Sequence, residues 1–418
     1  MSSTISYDVI VIGAGIIGIS TALKLQSKGK QVLVIDRKGV AAETSSGNAG
    51  AFAFADVIPL ATPGIMKKAP KWLLDPLGPL SIHPAYAFKI LPWMLHFWRA
   101  SWKDRYVNAL TAQSNLMELS KAALERQIQE VNGEALIRRE GQLQLYEGET
   151  EFKAAQPGWD VRKKYGVKFE FLESPEAIAS IQPGIDARFT HAGFTPEWKN
   201  VVHPAQWTQH LANEFKKLGG EIAITEITSI DLSSETASVK GDHGNHYQAT
   251  QIVLATGAWS KKLAKTLGDS LPLDTERGYN TTLPAGAFDL KTHISFSNHG
   301  FVVSKAGEGI RIGGAVELGG LSLAPNYKRA DILLNKAAAF LPDLKTEGGK
   351  QWMGYRPSMP DSLPVISYSS QSTRVIYAFG HGHLGLTQSA GTAEMVADLV
   401  FGRSPTIPLE PYSARRFK

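Results

Sequence analysis

The sequence predicts an α/β chain in which a parallel, Rossmann-like sheet is interleaved with an α+β region built on one large mixed or antiparallel sheet. Three observations predict it. A β-branched run, Tyr7 to Ile12, leads straight into Gly13-Ala14-Gly15-Ile16-Ile17-Gly18. Beyond that turn Ile19, Ala22, Leu23 and Leu25 fall at helical spacing, and a second strand, Gln31 to Ile35, ends on Asp36. Residues 271–355 instead carry short alternating segments punctuated by glycine, the pattern of a large sheet.

Strand, glycine turn, helix and acid-terminated strand form a Rossmann-like dinucleotide-binding unit. Gly13 permits the turn, Gly15 lets the backbone approach a pyrophosphate, and Gly18 lets the helix pack closely on the strand. The helix presents free amides and its positive dipole end to the phosphates. Asp36 is placed to hydrogen-bond a ribose hydroxyl, with Arg37 beside it, and its charge argues against a 2′-phosphate there.

Composition narrows the class. The chain of 418 residues has room for more than one domain, and 43% hydrophobic with 20% charged residues is ordinary for a globular protein. A net charge of +5, dispersed over 44 basic and 39 acidic residues, does not argue for nucleic acid. The sequence contains no cysteine, which excludes disulfides, thiolate metal sites, a thiol nucleophile and a cysteinyl cofactor bond. No signal-peptide pattern opens the chain, and no apolar run approaches the roughly 18 to 20 residues that span a bilayer. The expected location is cytoplasmic, with peripheral contact at the inner face of the cell membrane as the variant that residues 56–105 leave open.

Those residues are rich in Pro, Trp, Phe and Leu, and Pro92 is expected to interrupt any long helix. One reading is a surface that touches membrane or a redox partner, supported by Lys67, Lys68 and Lys71. The other, which is favoured, is aromatic packing under the second domain. Helices are expected from Asn108 to Val131, Glu151 to Lys164 and Ala205 to Leu218, the last stopped by Gly219-Gly220. Gly141 to Tyr146 reads as a strand and Thr195 to Pro204 as a loop. Strands follow near Glu221 to Thr225, Ile227 to Leu232 and Ser238 to Lys240, and another leads through Leu254 into Ala255-Thr256-Gly257-Ala258-Trp259-Ser260.

Two further segments are chemically suggestive. Glu43 to Gly50, ETSSGNAG, is a small polar loop able to bring amides and hydroxyls to a ligand, and Gly380-His381-Gly382-His383-Leu384-Gly385-Leu386-Thr387 precedes a helix from Ala390 to Val400. Between them stands Gly354-Tyr355-Arg356-Pro357, followed by Asp361-Ser362-Leu363-Pro364-Val365-Ile366. A His381–His383 metal pair finds no third ligand at suitable spacing, so no metal is expected.

Taken together, GAGIIG, the Ser-x-x-Asn-Ala-Gly segment, Ala-Thr-Gly-Ala-Trp, Gly-x-Arg-Pro, Asp-x-x-Pro-x-Ile and Gly-His resemble the D-amino-acid oxidase-like family of FAD enzymes, and within it the bacterial D-amino acid dehydrogenases. The resemblance spans nearly the whole chain. It implies an FAD-binding domain from residues 1–55, 200–270 and 355–418 and a substrate-binding domain from 56–199 and 271–354. It places Gly13, Ala14, Gly15, Ile16, Ile17, Gly18, Asp36, Arg37, Ser45, Ser46, Asn48, Ala49, Gly50, Thr256 and Gly257 along the dinucleotide. Gly382, His383, Leu384, Gly385, Leu386 and Thr387 fall at the flavin's pyrimidine end, where amide donors stabilise charge on reduction. With no cysteine anywhere and no histidine in 43–53, FAD is expected to be noncovalent.

Arg356 is the residue chosen for the substrate, because a planar guanidinium fixes a carboxylate by two parallel hydrogen bonds. Tyr279, His299 and Tyr355 are candidates to line the same pocket. The implied reaction is oxidation of an amino acid to a 2-oxo acid by hydride transfer from Cα to flavin N5, with electrons passed to a quinone or other carrier. A secondary-amine oxidoreductase acting on sarcosine, glycine or D-hydroxyproline stays open, as does an oxygen-using oxidase. A binding module without turnover and a nicotinamide dehydrogenase are the readings from other classes.

Overall fold

The computed structural model describes residues 6–66, 80–233 and 235–417. Lys67, Lys68 and Lys71, expected as basic support for the aromatic segment, lie outside the described residues.

The first sheet is centred on Ser6–Ile12, which runs parallel to Val32–Asp36 on one side and to His246–Leu254 on the other. Its register sets Ile12 beside both Ile35 and Leu254, while Leu254 is beside Tyr377 of the parallel strand Val375–Phe379. Gly13, Asp36, Ala255 and Gly380 therefore leave the sheet at one rim, the carboxyl ends of its strands, where open α/β sheets bind ligands. Alternation sends Val9, Val11, Val32 and Val34 to a face covered by the helices Ile16–Ser27, Pro204–Lys217, Gly385–Val400 and Lys103–Glu130. Ile10, Ile12, Leu33 and Ile35 face the other way, against Leu263, Ala264 and Leu267.

The second sheet has nine strands among the described residues, ordered Lys350–Ser358, Asp274–Leu283, Gly309–Leu318, Phe301–Ala306, His293–Phe296, Gln142–Glu147, Phe189–Thr195 and Glu170–Leu172, with Leu80–Ile82 off Gly309–Leu318. Most pairs are antiparallel, but His293–Phe296 runs parallel to Gln142–Glu147, so the sheet is mixed. One face packs on the helices Pro175–Ile181 and Lys328–Phe340 through Ile178, Leu333, Ala337 and Phe340.

Several local expectations need correction. The chain forms an unbroken helix, Ala87–Ala100, through Pro92. The carbonyl that loses its donor there belongs to Phe88, which is 87% exposed, so water can take the donor's place. The loop expected at Thr195 to Pro204 holds the strand Lys199–Val201, paired with Ala51–Phe52 and Ile137–Arg138. Residues 43–50 contain a single helical turn, Thr44–Gly47. The strand Lys350–Ser358 runs through residue 355, so the join expected there falls inside an element.

Residues 87–102 have one buried and one exposed apolar face. Ile90 and Trp93 are buried against Leu318. Phe88, Leu91, Leu95, Trp98 and Trp102 form an exposed row at helical spacing.

Candidate active site

A continuous cavity of about 1170 Å³ runs from the rim of the first sheet to the open face of the second. Its first end is built from backbone. Gly13, at φ +113°, turns so tightly that a Cβ there would lie 2.4 Å from the Ala255 carbonyl oxygen. A Cβ on Gly18 would lie 1.8 Å from the Gly13 oxygen, which is how closely helix and turn approach. Gly15 lines the cavity as N-cap of Ile16–Ser27 and supplies no side-chain cap, while Ser45 Oγ accepts from the Ile16 amide at 2.9 Å. Asp36 lines the same end. Its carboxylate accepts from the amides of Ala14 (2.9 Å), Lys38 (2.8 Å) and Gly39 (3.0 Å), which fix it in place and leave acceptor capacity over.

Arg37, Asn48, Ala49, Thr256 and Gly257 also reach the cavity. Ala14, Gly18, Ser46 and Gly50 stand behind the wall and shape it: Ser46 Oγ donates to the Glu43 carbonyl and the Gly50 amide to Asn48 Oδ1. At the far end Gly382, His383, Gly385 and Leu386 line the cavity, and the helix Gly385–Val400 begins there without a side-chain cap. Leu384 is buried, and Thr387 accepts from the Ala53 amide and donates to the Ala51 carbonyl. Two helix N-termini with orphan amides thus open on one cavity, a donor set that fits a pyrophosphate at one end and a flavin ring at the other.

The substrate-side residues divide. Arg356 projects into the cavity from Lys350–Ser358, its guanidinium lying across Gly278, where a Cβ would be 2.2 Å from Nη2. Nη1 donates to the Ala315 carbonyl at 3.0 Å, and no carboxylate within ion-pair distance neutralises it among the described residues. Desolvation by the cavity walls lowers its pKa from the ordinary guanidinium value.

Of the other three, Tyr279 lines the cavity with its hydroxyl already engaged, and Tyr355 and His299 lie outside it. Tyr279 is 1% exposed; its hydroxyl donates to Glu317 Oε2 at 2.6 Å and accepts from the Asn326 amide, and burial with that carboxylate pushes it up to about 12. Tyr355 alternates with Arg356 along the strand and turns its ring against Trp259 instead of the cavity. His299 packs on Phe189 and Phe340 with Nε2 2.9 Å from Glu147 Oε1, a contact without hydrogen-bond angles, outside the cavity.

Sequence reasoning missed several lining groups. Arg311 is held by the Asn48 carbonyl and Thr282 Oγ1, and burial pulls it down to about 10. Glu276, Asp274 and Asp56 supply carboxylates to the substrate end. Asp274 accepts twice from Tyr86 Oη at 3.0 Å, and burial raises its pKa. Arg277, fully buried, pairs with Glu317 and donates to the carbonyls of Gly320, Leu323 and Ala324, holding a loop whose residues 320–322 line the cavity. A charged residue between two isoleucines was the available signal for Arg311. His383 is exposed to the cavity, and desolvation by the surrounding walls lowers its pKa, which favours the neutral ring. His381 points elsewhere, its Nε2 at 2.9 Å from Thr392 Oγ1.

The geometry defines a flavin-nucleotide oxidoreductase site, and comparison with known proteins agrees. The family model described as FAD dependent oxidoreductase matches residues 8–399, so the chain belongs to that family. It is 36% identical over 418 residues to a D-amino-acid oxidase of Bradyrhizobium diazoefficiens, covering 98% of each. A D-amino acid dehydrogenase of the same organism is 31% identical over 425 residues, again covering 98% of each. Glycine oxidase from Geobacillus kaustophilus shares the fold with a TM-score of 0.78 at 21% identity, covering 98% of this chain and 99% of that one. L-proline dehydrogenase from P. horikoshii does so at 0.76 and 19%, covering 99% and 98%. The protein is an FAD-dependent oxidoreductase of this family.

Proposed function

We propose that the protein oxidatively deaminates a D-amino acid to the 2-oxo acid and passes the electrons to a quinone or similar carrier. The observation that carries this reading is Arg356, a cationic fork inside the cavity with only one donor committed to a carbonyl. A carboxylate placed on its free donors is fixed in position and orientation. The D configuration rests on the names of the two relatives at 36% and 31% identity.

Bound FAD would lie between the Gly13–Gly18 turn and the Gly385–Val400 terminus, and it supplies the acceptor for the hydride that leaves Cα. The chain's own part is to bind and orient. Arg356 holds the α-carboxylate, the walls exclude water, and neutral His383 stands in the same cavity as an acceptor for the amine proton. Loss of hydride and that proton leaves an imino acid, which water hydrolyses to 2-oxo acid and ammonium. No protein nucleophile is needed.

The exposed row Phe88, Leu91, Leu95, Trp98 and Trp102, bordered by Lys89, Arg99, Lys103 and Arg105, favours a carrier dissolved in an anionic bilayer over oxygen. Among the described residues no helix is long and apolar enough to cross a membrane, so this contact would be peripheral.

The test is turnover of D- and L-amino acids with an artificial electron acceptor, alongside peroxide measurement in air. D-selective acceptor reduction with little peroxide is expected; stoichiometric peroxide would replace the dehydrogenase by an oxidase. Co-sedimentation with anionic vesicles that is lost in Phe88→Ser/Leu95→Ser supports the membrane contact, and the absence of vesicle binding by the native protein removes it.

A further inference from the structure

Glu276 is the unexplained charge of the cavity. It lies on Asp274–Leu283 directly across the ladder from Arg356, and it is 6% exposed. Its carboxylate lines the cavity, yet among the described residues it accepts no hydrogen bond and joins no ion pair. The Arg356 and Glu276 charges attract across the ladder without forming an ion pair, because the guanidinium is turned across Gly278 toward the Ala315 carbonyl.

The other acids at this end are engaged. Asp274 is capped by Tyr86, and Asp56 has Arg162 Nη2 at 3.9 Å from Oδ1. His383 feels the charges of Asp56, Glu276 and Arg356, which places the four groups around one space. A buried, unpartnered carboxylate is costly to a fold and is offset by a ligand that brings the complementary charge.

From this we infer that Glu276 recognises a positive charge on the substrate side chain, so that the preferred substrates are amino acids bearing an ammonium or guanidinium group, such as lysine, ornithine and arginine. The inference rests on the proposed amino acid oxidation. Arg356 takes the α-carboxylate, and the α-amine must be neutral when Cα–H departs as hydride. The charge that remains for Glu276 to pair with is at the other end of the substrate. A neutral aliphatic side chain would bury the carboxylate further without a partner, and an acidic one would be repelled.

The experiment compares kcat/KM, with an artificial acceptor, for each enantiomer of lysine against norleucine and of arginine against citrulline. In the native holoenzyme the cationic member should be favoured by roughly 10- to 100-fold, the worth of a charge-assisted hydrogen bond. In Glu276→Gln that ratio should collapse toward one, whereas Glu276→Asp should keep it above the Gln variant. A merely structural role would lower both members of a pair alike and leave the ratio intact. A native ratio below about threefold, or a ratio unchanged in Glu276→Gln, overturns the inference. If neutral amino acids are oxidised without that preference, only this inference falls. If no amino acid reduces the flavin, the proposed function falls with it.

Discussion

The two ends of the cavity offer a ligand different kinds of group. The nucleotide end is backbone: a glycine turn, uncapped helix amides and a carboxylate fixed by amides of its own chain. The substrate end is side chains, Arg356, Glu276, Arg311 and His383, carried on strands and a loop far apart in sequence. Backbone recognition tolerates change in neighbouring side chains but not the addition of a Cβ. Side-chain recognition is the reverse: single exchanges retune it while the fold persists.

That contrast can be broken first at Gly13. Gly13→Ala sets a Cβ 2.4 Å from a backbone oxygen at a φ of +113°, and such strain with overpacking costs on the order of 3 kcal/mol. Purified protein should be colourless, with flavin absorbance near zero per chain. Retention of full flavin content would show that the turn is not the cofactor's cradle.

Acid should weaken both ends. Burial lowers His381, by the rim, and His293, on a strand of the second sheet, from 6.5 to about 3. The folded state holds them neutral while the unfolded chain protonates them below 6.5, so the unfolded state binds more protons in that window. Stability is then fully present above pH 6.5 and falls toward pH 3, by about 1.4 kcal/mol per unit for each group. Chemical denaturation at pH 7 and pH 5 reads it; equal midpoints would contradict the burial of both rings.

Arg277→Ala leaves buried Glu317 with the Tyr279 hydroxyl but without its ion-pair partner, and the carbonyls of Gly320, Leu323 and Ala324 without these donors, a loss of roughly 3–5 kcal/mol. A thermal melt should show it, with the substrate end loosened because that loop lines the cavity. The smallest effect is expected at His299, outside the cavity. His299→Asn should change kcat/KM by less than about twofold, and a large loss would return it to the site.

The same contrast explains what the sequence disclosed. GAGIIG and Asp36 are local: each glycine's task is set by neighbours within one βαβ unit, so the motif announces the turn that the structure contains. Arg356 was legible because Gly-x-Arg-Pro is also a local pattern. Tyr279 lines the cavity with its hydroxyl turned to Glu317, while Tyr355 and His299 lie outside it, because which way a strand residue faces depends on its register. One step of alternation separates Tyr355 from Arg356, and the bulge between Arg277 and Tyr279 resets the pairing with Gly309–Leu318. Glu276 becomes conspicuous only when that register sets it opposite Arg356 and no partner arrives. The helix through Pro92 was missed because exposure of Phe88, which lets water replace the lost donor, is a tertiary property.

The central claim is that Arg356 holds the substrate carboxylate beside the flavin. Anaerobic titration of the holoenzyme with its best amino acid, followed by flavin bleaching, tests it most directly in native protein and in Arg356→Lys. Loss of the bidentate pair should raise the half-saturating concentration roughly 10- to 100-fold with flavin content unchanged. Identical half-saturation in the two proteins would contradict the account.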